Sequence, residues 1–209
     1  MSDKPKKTQC LQYSLLFIGI IFSQSAFAHS PIKGIGFLFN GILHPFFIPS
    51  HILLILTLGF WIGQQQPQKQ IASVLLYLGA MITGLLLTAY YSQSYLLIKD
   101  NNTLILLSLT ILIGLMTLSA VSFPSVFIRL VSIIVAFALG FDFQTEDLNG
   151  SAKIISLVGS AVGSYFMLLY AIALSETLSV KKWQKISIRI LASWLSAGAI
   201  MVLALNVSH

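Results

Sequence analysis

Charge is the scarcest property of this sequence. Of its 209 residues, 12 are Lys or Arg and 6 are Asp or Glu, 9% in all, where a soluble domain carries roughly a quarter. So few charges cannot cover a water-facing surface, which excludes a soluble body for the chain. The single cysteine, Cys10, lies near the start and excludes disulfides and thiol chemistry from the rest. No phosphate-binding loop, nucleotide site or haem-attachment motif is present. The apolar runs do not alternate with polar residues, which excludes the strands of an outer-membrane barrel. The formal net charge of +6 does not signal nucleic acid, because the basic residues stand at the ends of apolar runs and form no patch.

Apolar residues, by contrast, fill 56% of the chain, and its mean hydropathy is +0.89. The start follows the three-part plan of a secretory signal: basic Lys4, Lys6 and Lys7, apolar Leu11 to Phe22, and Ala26-Phe27-Ala28 as an A-x-A cleavage site. The expected division is a cleavable signal peptide over 1–28 and one membrane domain over 29–209. Six apolar stretches follow, at about 34–62, 71–91, 104–121, 125–141, 154–175 and 187–206. Each is near the ~20 residues that a helical span needs, and helix is the structure that satisfies backbone groups in lipid. The fold class is therefore an all-α polytopic membrane protein with about six transmembrane helices. With His29 outside, inner loops hold Lys69, Arg129, Lys181, Lys182, Lys185 and Arg189, against Lys33, Lys99 and Lys153 outside. That bias agrees with the positive-inside rule and puts both mature termini outside.

The first stretch is longer than one span and is interrupted by His44-Pro45-Phe46-Phe47-Ile48-Pro49-Ser50-His51. Two prolines four apart each remove an amide donor and clash with the preceding turn, so the helix is expected to break. Ser50 is placed to cap a second half-helix starting near His51. Non-helical backbone at membrane depth is tolerated only where protein or water surrounds it, and transporters place ion sites at discontinuous helices. Histidine within a span faces the interior or a cavity, and imidazole suits nickel, cobalt, copper or zinc. The competing reading is that each histidine merely bonds a backbone group freed by the prolines.

Gly41-Ile42-Leu43-His44-Pro45, then Ser50-His51-Ile52-Leu53-Leu54 and Gly59-Phe60-Trp61, resemble the first transmembrane signature of HupE/UreJ proteins. These are hydrogenase and urease accessory proteins regarded as nickel or cobalt permeases. The resemblance covers most of the mature chain, and it implies the leader, the six-span layout and a metal path lined by His44 and His51. The chain departs from the family pattern at Ile48, where the family has glycine, and at Ser50, where it has aspartate. Serine keeps a capping oxygen and loses the charge. The family's histidine-rich motif at the end of the fourth span is replaced by Asp142-Phe143-Gln144-Thr145-Glu146-Asp147, and its fifth-span histidine by Tyr170.

Asp142 and Glu146 share one face if the helix continues, and can supply carboxylate oxygens to a cation or concentrate cations at a pore mouth. The alternative is a solvated acidic loop closing at Asn149-Gly150. Cleavage after Ala28 would give His29 both an amino nitrogen and an imidazole for a metal; a flexible terminus is the alternative, and His209 reads as an exposed tail. Gly159 and Gly163 form a small-xxx-small pattern suited to close helix packing. Trp61, Tyr90, Tyr91, Trp183 and Trp194 read as interfacial aromatics.

The functional expectation is a divalent transition-metal permease or metal-uptake accessory, not an enzyme, with candidate ligands His44, His51, Asp142, Glu146 and His29. A rhomboid-type hydrolase needs serine and histidine on different spans, whereas both intramembrane histidines here lie in one. No permanently bound cofactor is expected, only transported Ni2+ or Co2+. The expected setting is a bacterial inner membrane, with the lipid bilayer, the metal ion and either a homo-oligomer or metalloenzyme-maturation proteins as partners. The alternative is a non-transporting accessory or scaffold that keeps the fold and has lost metal ligands.

Overall fold

Every regular element among the described residues of the computed structural model is a helix; these residues are 34–65, 67–90, 96–143, 148 and 150–207. The expected signal peptide, His29, Glu146 and His209 lie outside them. The helices are α1 (Gly36–Phe47), α2 (Pro49–Gly63), α3 (Pro67–Tyr90), α4 (Leu96–Ser119), α5 (Ser125–Asp142), α6 (Gly150–Thr177) and α7 (Lys182–Val207). Five of them are long and apolar enough to cross a membrane, and α1 with α2 make a sixth candidate span bent by 76°. This is the helix set of a multi-pass membrane protein.

The bend falls at one residue. Pro45 is kept inside α1 and buried, and the chain leaves helical geometry only at Ile48 (φ −99°, ψ 114°). Pro49 causes this, because its ring drives the preceding residue into extended backbone. Pro49 itself opens α2, where a missing N–H costs nothing. The first turn of α2 is closed by the Ile48 carbonyl, which accepts from the amides of His51 and Ile52, both at 3.1 Å. The expected Ser50 cap is therefore corrected: Ile48 takes the cap position, no side chain bonds there, and Ser50 is buried in the first turn.

Helix α2 is the centre of the bundle. Leu54, Ile55, Leu58, Trp61 and Ile62 are all fully buried, as expected of a helix that is apolar all round. It packs against α4, α6 and α7, while α1 rests on α6 and α3 on α5. Small residues set the closest approaches. A Cβ at Gly159 would collide with the Leu38 carbonyl oxygen, and one at Gly163 with that of Ile42, so these glycines let α1 lie directly on α6. Trp61 is not interfacial but buried, its ring 5.5 Å from Phe123 and 6.2 Å from Phe127. Trp183 and Trp194 are exposed, where lipid or headgroups meet the bundle. Near Trp61, Gln65 Oε1 accepts from the Phe123 amide at 3.2 Å, and Lys69 Nζ donates to the Phe123 carbonyl at 3.0 Å. These bonds fasten the α4–α5 connection.

Candidate metal centre at the helix break

His44 sits in the last turn of α1 and His51 in the first turn of α2. Seven residues along a straight helix would separate them by ~10 Å of axial rise. The bend brings the ring centroids to 6.0 Å at 61°. An imidazole nitrogen stands about 2 Å from a bound metal, so one ion can bridge two rings at this spacing. Phe143, fully buried, closes one side of the pair, its centroid 5.7 Å from His44 and 4.8 Å from His51.

His51 is completely buried, and its Nε2 lies 2.6 Å from Asp142 Oδ2. A carboxylate only accepts, so Nε2 carries the hydrogen and donates it. The second oxygen, Asp142 Oδ1, accepts from Asn102 Nδ2 at 2.7 Å. Asp142 is the last residue of α5, where the helix dipole disfavours an anion. The two donors, His51 from α2 and Asn102 from α4, offset that cost with charge-assisted bonds. His51 Nδ1 is buried without a hydrogen-bond partner among the described residues. In the neutral ring it carries a lone pair, the form in which imidazole binds a metal.

Buried hydroxyls elsewhere in the bundle are engaged within their own helices. Thr57, Ser132, Ser160 and Ser164 each donate to a carbonyl four residues back on their own helix, the usual way a buried hydroxyl is satisfied inside a helix.

Of the candidate ligands, the structure gathers His44, His51 and Asp142. Glu146 and His29 lie outside the described residues. Gly159 and Gly163 belong to the α1–α6 contact, and Tyr170 is 66% exposed. Among the described residues no three His, Cys, Asp or Glu side chains form a group able to hold a metal ion. A bound cation would thus have two imidazoles, one carboxylate close by, and open positions for water or a further ligand. Sequence reading missed Asn102, which lies just ahead of the expected third span. The signal that could have found it is that a polar amide at the edge of an apolar run needs a partner once buried.

Comparison with known proteins gives one match. The family model described as HupE / UreJ protein matches residues 16–204. Neither the curated proteins nor the solved structures give a match.

Proposed function

The chain belongs to the HupE/UreJ family, and from that premise we propose that it moves, or helps to move, a divalent transition metal of the nickel or cobalt kind across the membrane. The observation that carries this reading is the convergence of His44 and His51 at the bend, with Asp142 held against His51. Imidazole is the ligand type for such ions. One nearby carboxylate offsets part of the dication's charge beside a fully buried imidazole, where an unpaired charge is costly. Incomplete coordination by protein suits a cargo that must leave as well as enter. In this reading the His51 end faces the periplasmic side of a bacterial inner membrane, the chain acts without enzymatic chemistry, and the ion is substrate rather than resident cofactor.

A second reading, a non-transporting accessory protein, draws support from the absence of a third metal-ligating side chain among the described residues. Metal uptake separates the two. Cells expressing wild type should accumulate nickel or cobalt above the background of cells without the protein. The His44→Ala and His51→Ala variants should fall to that background. Equal accumulation in wild type and both variants, at matched membrane abundance, would discard transport and leave the accessory role.

A further inference from the structure

Asp142 has two oxygens, and each is committed to a different helix. Oδ2 takes the Nε2 hydrogen of His51 at 2.6 Å, and Oδ1 takes a hydrogen from Asn102 Nδ2 at 2.7 Å. Asn102 is itself buried, so its amide cannot turn to water. Of its two ends only the nitrogen can face a carboxylate, because the carboxylate has no hydrogen to give. The chain Asn102–Asp142–His51 therefore has one direction, and its far end is Nδ1 of His51, which has no hydrogen-bond partner among the described residues.

We propose that Asn102 is a positioning residue for cation binding: through Asp142 it holds His51 in the Nε2–H tautomer, so that Nδ1 is the atom that meets the ion. This deepens the metal-handling reading above and rests on it. Asp142 then acts mainly behind the imidazole rather than as a ligand. It fixes the ring's orientation and makes Nδ1 a better donor, as carboxylates behind metal-bound histidines do. Removing such a partner typically weakens metal affinity about 10- to 100-fold.

The direction of the chain gives a test that a merely structural role would not pass. In Asp142→Asn two amides face each other and both can turn over, so the new amide presents either its NH2 group or its oxygen to His51. Where the NH2 group faces His51, Nε2 must accept, the hydrogen moves to Nδ1 and the wrong tautomer faces the ion, so the ring is no longer held to one form. In the double variant Asp142→Asn/Asn102→Asp the groups are exchanged. The carboxylate at 102 accepts from the amide at 142, whose oxygen again faces His51 and restores the Nε2–H form.

The experiment is 15N NMR of histidine-labelled protein in detergent, at about pH 8.5, above the ordinary imidazole range, with His51→Ala to assign His51 by the loss of its signals. 113Cd2+ serves as probe ion. Expected are an Nε2–H ring in wild type, a share of Nδ1–H ring in Asp142→Asn and an Nε2–H ring alone again in the exchanged pair. The 113Cd–15N coupling should appear at Nδ1, and the affinity for Cd2+ should drop about 10- to 100-fold in Asn102→Ala. An Nδ1–H ring in wild type, coupling at Nε2, or an exchanged pair no better than Asp142→Asn overturns the proposal; the wild-type spectrum decides even if a variant fails to fold. Failure of wild type to bind Cd2+ with an Nε2–H ring in place overturns instead the metal-handling reading on which it rests.

Discussion

Replacing Gly163 with alanine tests whether the α1–α6 contact positions the site. An added Cβ would stand 2.9 Å from the carbonyl carbon of Ile42 and 3.1 Å from its Cα, and nearer still to its oxygen. All three are backbone atoms of α1, so no side chain can swing aside. Ordinary contact begins at 3.4 Å, and the oxygen is the closest of the three, so α1 must retreat from α6 by more than the 3.4 − 2.9 = 0.5 Å that the carbonyl carbon alone requires. Overpacking of this kind costs about 1–3 kcal/mol. The displacement falls unequally on the histidines. His44 rides on α1, whereas His51 rides on α2, which has its own contacts with α4, α6 and α7. A site needs its groups held to within about 0.5 Å, so metal accumulation should drop well beyond what lowered abundance explains. The control is Gly79→Ala, where an added Cβ meets nothing within 4 Å. It should keep uptake and keep or raise the thermal midpoint, since alanine favours helix over glycine by about 1 kcal/mol. The assays are thermal unfolding in detergent and uptake normalised to membrane abundance. A Gly163→Ala protein as stable and as active as Gly79→Ala would refute the reasoning.

Three further outcomes follow from individual contacts. Ser50→Ala should change stability by less than about 0.5 kcal/mol, where loss of a capping serine costs about 1 kcal/mol; thermal unfolding against wild type decides. Ser50→Asp places a carboxylate in the first turn of α2, where the helix dipole favours it by about 0.3–1 kcal/mol, and should tighten Cd2+ binding in a titration. Unchanged or weaker binding there would show that charge beside His51 does not limit affinity. Gln65→Leu strips the Phe123 amide of its acceptor and should destabilise by about 1–3 kcal/mol, while His51 keeps its wild-type 15N shifts.

The sequence carried the helices further than the site. The apolar runs give the spans within a few residues, because lipid leaves the backbone no option but helix. The interruption between His44 and His51 was equally plain. Its location was not: two prolines are present, and only packing decides that Pro45 is absorbed into α1 while Pro49 turns the chain. The pairing of His51 with Asp142, and of Asp142 with Asn102, joins residues 91 and 40 positions apart. No local pattern encodes such a distance. Trp61 was misread for a similar reason, since its place in the sequence is a span end and its burial comes from Phe123 and Phe127 on another segment.

The single extended residue at the bend has a mechanical consequence. Between the helix that carries His44 and the helix that carries His51 there is one joint, Ile48. Its two torsions set how far apart the imidazoles stand, so a small rotation there opens or closes the pair like a caliper. Pro49 disfavours the helical region at Ile48, so the joint swings more readily than it straightens into a continuous rod. Whatever else the bundle does, the histidines are kept on two separate arms.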